Sequence, residues 1–93
     1  MTDVMAALRS RFAARCVGDL ERLRALAADG RMDSEEAQGL VHSLAGAGAT
    51  FGYPDVSTAA GHLDDAFVEG RTPSEAAVRA LLAALEAMTT PAS

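Results

Sequence analysis

The amino-acid sequence predicts an all-α fold, an up-and-down antiparallel four-helix bundle, on three observations. Apolar residues recur at steps of three and four, the period of a helix face. Hydrophobic residues make up 49% of the chain, much of it alanine and leucine with only Phe12, Phe51, Phe67 and Tyr53 as aromatics, a composition suited to closely packed helices rather than a β-sandwich. Glycine and proline turn signals divide the pattern into four segments joined by loops of a few residues. With 93 residues and no repeat, linker or low-complexity stretch, residues 1–93 read as one domain, above the size at which a chain needs staples to fold.

The first helix is expected from about Asp3, its cap, to Ala28, with Met5, Leu8, Phe12, Cys16, Leu20, Leu23 and Ala27 on its apolar face. Gly18 interrupts this run, so a break there, leaving a short leading N-terminal helix, is compatible with the pattern. Asp29-Gly30-Arg31-Met32 is a turn in which glycine ends the helix left-handed. Asp33 is then expected to cap the second helix, with Glu36 completing a capping box. Gly52 ends that helix, and Pro54 suits the first position of a third whose stripe is Val56, Ala59, Ala60, Leu63, Ala66 and Phe67, ending before Gly70. Thr72 reads as the cap of a fourth helix with Pro73 as first residue and Glu75 closing the box, Val78, Leu81, Leu82, Leu85 and Met88 as its apolar face, and 89–93 as a frayed tail.

Charge and cysteine content exclude several classes. The net charge of −5 argues against a nucleic-acid partner, since phosphate binding needs a concentrated positive surface. No apolar run reaches membrane-spanning length and no signal-peptide pattern opens the chain, so a soluble cytoplasmic protein without a membrane partner is expected. The lone Cys16 excludes an internal disulfide, gives no metal cluster, and lies beside the apolar stripe as a buried inert thiol. All eight basic residues are arginine; Arg9, Arg11, Arg15, Arg22 and Arg24 crowd the first helix, as a solvated face or as part of a docking surface for an acidic pocket.

The stretch from Ser34 to Gly52 carries the candidate chemistry. At about 100° per residue, Ala37, Leu40, Val41, Leu44, Ala47, Gly48 and Phe51 fall within about 60° of one direction, and His42 lies about 160° from the centre of that stripe. Beside His42 stand Gln38, Gly39, Ala45, Gly46 and Ala49, a shelf of mostly very small side chains. Glycine inside a helix costs about 1 kcal/mol relative to alanine, so a stretch that keeps two on its exposed face suits close approach by another macromolecule to the imidazole. His62, at the edge of the third helix's stripe, has no zinc-type partner spacing and reads as a surface or boundary residue.

His42-Ser43-Leu44-Ala45-Gly46, then Phe51-Gly52, then Ala59-Ala60 and Leu63-Asp64 resemble the histidine-containing phosphotransfer (HPt) domain family. That family's signature is a histidine with leucine two residues on, lysine three on, glycine four and ten on, and a downstream Leu-Glu pair. Leu44, Gly46 and Gly52 occupy the matching places, and Leu63-Asp64 stands for Leu-Glu. Ala45 holds the lysine place, a departure that bears on the lifetime of a phosphorylated state because no lysine exists elsewhere to offset it.

The resemblance implies a phosphorelay intermediate in which His42 is the phosphoacceptor, taking a phosphoryl group from a receiver-domain aspartate and passing it to another. Gln38, Gly39, Ala45, Gly46 and Ala49 would form the docking shelf, with Gln38 steering the ring or the phosphoryl oxygens. The implied partners are receiver domains of response regulators or hybrid histidine kinases. The chain would need no cofactor, the magnesium ion belonging to the receiver, and without a glycine-rich nucleotide loop it would have no ATP-dependent kinase activity. The alternative is a non-catalytic interaction module that docks a receiver or other regulator without carrying phosphate. The helix pair of a histidine kinase fits poorly, because the glutamate beside the histidine and the following proline are missing.

Overall fold

Four start signals and three glycine stops set the elements of the computed structural model, which describes residues 3–90. Helix α1 spans Val4–Ala28, α2 Glu35–Thr50, α3 Pro54–Val68 and α4 Glu75–Thr89. The Asp3 carboxylate opens α1 by accepting from the N–H groups of Met5 (3.0 Å) and Ala6 (3.2 Å). Helix α1 then runs unbroken through Gly18, so no leading helix separates off. Cys16, Leu20 and Leu23, on both sides of Gly18, are buried in the core, and that packing outweighs glycine's propensity cost of about 1 kcal/mol.

Two caps differ from the expected residues. Ser34, not Asp33, caps α2, its hydroxyl accepting from Ala37 N–H at 3.2 Å. With Ser34 as cap the third helical position is Ala37, so Glu36 closes no capping box there, and its carboxylate accepts from Arg22 of α1 instead. Ser74, not Thr72, caps α4, accepting from Ala77 N–H at 3.1 Å, and Pro73 is a buried residue ahead of the cap rather than the first of the helix. Both helices begin with Ser-Glu, a capping hydroxyl followed by a carboxylate at the positive end of the dipole. Thr89, expected in a frayed tail, is the last residue of α4, with its hydroxyl donating to Leu85 O at 2.7 Å, and Thr90 donates to Glu86 O at 2.6 Å. The rest of that tail, 91–93, lies outside the described residues.

The helices close into an up-and-down ring in which α2 packs most extensively on α3, and α4 joins α3 to α1. Every helix contributes leucine to the fully buried centre: Leu23, Leu44, Leu63, Leu81 and Leu85. Each such side chain contributes about 2 kcal/mol by leaving water. The Phe12 ring packs against Phe51 at 5.3 Å and Tyr53 at 5.7 Å between centroids, closing one end.

The α2–α3 hairpin is tight for two reasons, both glycine. Gly52 adopts φ 86° and lets Tyr53 N–H reach back to Gly48 O at 2.8 Å, ending α2 sharply. Gly48 is buried where α3 begins, and a Cβ on it would stand 2.9 Å from Ser57 N and 3.2 Å from Tyr53 O. The Ser57 hydroxyl donates to Ala45 O at 2.7 Å and fastens the two helices above that contact.

Helix α1, at 25 residues, outruns its 15- and 16-residue neighbours. Its first buried residue is Phe12, and Val4 and Met5 at its start are exposed. Exposed ion pairs tie it laterally: Arg22 to Glu36 of α2 with two hydrogen bonds, and Arg24 to Glu86 of α4 at 2.7 Å. Arg22 holds the Glu36 carboxyl below its ordinary range through these hydrogen bonds. Cys16 is fully buried, as expected, and desolvation, reinforced by the Asp19 carboxylate, pushes its thiol up to about 11.

Candidate functional site

The face of α2 opposite the core presents His42, whose side chain is 79% exposed. Ala37, Val41, Leu44 and Gly48 turn inward, and the helical period therefore leaves position 42 outward. Gly39, Gly46 and Ala49 are exposed around it, and a Cβ placed on Gly39 or Gly46 would meet nothing within 4 Å. The shelf read from the sequence is thus present at these three positions. Ala45 differs, because it is half-buried on the α3 side, beside the Ser57 bond to its own carbonyl.

Gln38 is exposed, but its amide does not address the ring. Its Nε2 donates to Asp33 O at 2.9 Å, returning to the N-terminal turn of its own helix. The group that meets the imidazole is Asp64 of α3, whose carboxylate oxygens lie 3.2 and 3.3 Å from Nδ1. A carboxylate only accepts, so Nδ1 is the donor, and the tautomer with this hydrogen bond has its lone pair on Nε2. The Asp64 side chain is 26% exposed, set deeper against the bundle than the ring it meets.

A second flank lies on the α1 side. Arg15 Nη2 donates to Ser43 Oγ at 2.6 Å, and Arg15 Nε donates to Asp19 Oδ2 at 3.1 Å, so a guanidinium is tethered to the residue beside His42. His62 is exposed on α3 and, as expected, belongs to the surface. Among the described residues, no three histidine, cysteine, aspartate or glutamate side chains converge as a metal site.

Neither Asp64 as ring partner nor Arg15 as neighbour was singled out from sequence. A signal for Asp64 existed: His42 and Asp64 each stand eleven residues from Tyr53, at the bend of the hairpin, and an antiparallel pair brings such positions level.

An exposed histidine oriented by a carboxylate, on a cleared face of an antiparallel four-helix bundle, suits a group-transfer carrier. The model of the family described as Hpt domain matches residues 7–90, nearly the whole chain. The chain belongs to the Hpt domain family. Hpt domains act in phosphotransfer in two-component signalling and interact with receiver domains in phosphorelays. No curated protein and no solved structure matches the chain. Among the described residues of this Hpt domain, no helix is long and apolar enough to cross a membrane.

Proposed function

We propose that this Hpt domain is a phosphorelay intermediate in which Nε2 of His42 accepts a phosphoryl group from the aspartyl phosphate of one receiver and gives it to the aspartate of another. The observation that carries this reading is the ring itself, 79% exposed with Nδ1 against Asp64 at 3.2 Å and Nε2 left to solvent. In the forward step the Nε2 lone pair attacks phosphorus while the bond from phosphorus to the receiver's carboxylate oxygen breaks, and that carboxylate leaves with the electron pair. The imidazole gains positive charge as the new bond forms, and the adjacent Asp64 carboxylate offsets it, the same division of labour as between histidine and aspartate in a hydrolase triad. The return step reverses each bond change onto a second receiver.

Positioning and charge stabilisation supply most of the acceleration in such transfers. Gly39, Gly46 and Ala49 are the part of this Hpt domain that lets a receiver seat flat over the ring, with Gln38 and Ala45 at the margin of the contact. The receiver brings the acceptor aspartate and its magnesium ion; this chain brings the nucleophile and uses no ATP. The setting is cytoplasmic, where receivers of response regulators and hybrid histidine kinases reside.

Ala45, at the family's lysine place, favours a second reading, a module that docks a receiver without carrying phosphate. One assay separates them. Incubation with a radiolabelled phosphorylated receiver is expected to give acid-labile, base-stable label on the wild type and His62→Gln, and none on His42→Gln. Label that persists in His42→Gln overturns the assignment of the acceptor, and absence of label with every receiver tried supports the docking module.

A further inference from the structure

We propose that Arg15 of α1 supplies the positive charge that meets the phosphoryl group on His42, across a lane left open by Gly39 and Gly46. The inference rests on the phosphoacceptor reading of His42 and adds a residue from a different helix to it. A phosphoryl group on Nε2 brings one and a half to two negative charges, by the usual behaviour of phosphorylated side chains, onto a face where Asp64 already carries one. The nearest resource must be a cation with donors to spare.

Arg15 meets that requirement. Its Nη2 lies 2.6 Å from Ser43 Oγ, next in sequence to His42, and its Nε is anchored on Asp19, whose side chain is only 14% exposed. These two contacts leave the Nη1 donors unassigned. Arg22, two turns further along the same side of α1, has both Nε and Nη2 on Glu36. Arg24 is paired with Glu86 and Arg71 with Glu69.

The placement of the two exposed glycines gives the argument its direction. Around α2, Ser43 lies about 100° from His42 toward α1, while Gly46 and Gly39 lie about 40° and 60° from it on that same side. Asp64 approaches from the other flank, where Ala45 stands. The sector between the imidazole and the guanidinium is therefore the one from which side chains have been removed, above and below the ring. A Cβ built on either glycine meets nothing within 4 Å, so that sector holds no side chain between the ring and the guanidinium.

Phosphoramidate tests this without any receiver. In a His62→Gln background, Nε2 of His42 attacks its phosphorus and ammonia leaves, and the rate is read as the mass gain of one phosphoryl group. Arg15→Ala is expected to slow this step about fivefold and to flatten its dependence on salt, as loss of one nearby partly screened charge does. Arg15→Lys is expected to keep most of the rate, and Ser43→Ala, which removes the tether and keeps the charge, to fall between.

An Arg15→Ala rate within twofold of wild type overturns the proposal. So does an Arg15→Lys rate as slow as Arg15→Ala, which makes Arg15 a packing residue, and so does failure of phosphoramidate to modify His42. Failure of phosphorylated receivers to label the protein, with the phosphoramidate differences intact, sinks the relay and leaves the Arg15 assignment standing.

Discussion

Gly46 and Gly48 sit two residues apart in α2, and alanine is expected to stabilise the domain at the first and not at the second. At Gly46 a new Cβ meets nothing within 4 Å, so the substitution gains helix propensity alone, about 0.8–1 kcal/mol. At Gly48 the same methyl would lie 2.9 Å from Ser57 N and 3.2 Å from Ser57 Cα, backbone atoms of α3 that cannot rotate away. Forcing the hairpin apart costs about 1–3 kcal/mol as an overpacking defect, which cancels or exceeds the same propensity gain, and the separation between the two variants is about 1–3 kcal/mol. For a domain of this size 1 kcal/mol corresponds to about 4–8 °C in Tm, so Gly46→Ala is expected to melt about 4–8 °C above wild type and Gly48→Ala at or several degrees below it. Thermal unfolding followed by circular dichroism at one protein concentration reads both. Equal increases in Tm would refute the reasoning, because Gly48 would then not be the point at which α2 touches α3.

Gly46→Leu is expected to leave Tm within a few degrees of wild type while slowing transfer from a phosphorylated receiver at least about tenfold, since the side chain stands where the partner must seat. Asp64→Asn replaces a charge-assisted hydrogen bond on Nδ1 by a neutral one, and the transfer rate is expected to fall about tenfold with little change in Tm. Cys16 in the folded protein at pH 8 is expected to react with a disulfide reagent at least about a hundredfold more slowly than in denaturant, being buried and largely protonated with a pKa of about 11. The Glu36 carboxyl is held below its ordinary 4.5 by Arg22, so its contribution to stability is present above the unfolded value and is lost as pH falls through the folded one. Melting temperatures from pH 6 down to pH 3 are therefore expected to drop less steeply in Glu36→Gln than in wild type.

The four helices were legible because the signals that make them are local. Glycine stops and apolar periodicity act within a turn or two, and so the wheel of α2 put His42 on the outer face. The caps were harder, because Asp33 against Ser34 and Thr72 against Ser74 are choices among near neighbours of similar capping propensity. Gly18 shows the same limit, since an unfavourable residue was overruled by the packing of Cys16 before it and Leu20 and Leu23 after it. The partners of the site residues lie on other helices. Gln38 is one turn from His42 and turns back to Asp33, whereas Asp64 is far in sequence and touches the ring. Register nonetheless leaves a trace: Arg15 and Ser43 stand fourteen residues either side of Asp29, and Arg22 and Glu36 stand seven either side. Each cross-helix pair of α1 and α2 is thus symmetric about the turn that joins them.

Among the described residues no polar or charged residue is buried, so no buried hydrogen bond or ion pair fixes how far α1 slides along its neighbours. Beyond the packing of Phe12 on Phe51 and Tyr53, what indexes α1 lengthwise is the row of arginines outside: Arg15 on Ser43, Arg22 on Glu36 and Arg24 on Glu86. Such contacts add little to stability and are screened over about 8 Å at physiological ionic strength. Ionic strength therefore acts on this molecule as a detent spring acts on a dial, loosening the notch that holds one rod opposite the histidine while leaving the assembly intact.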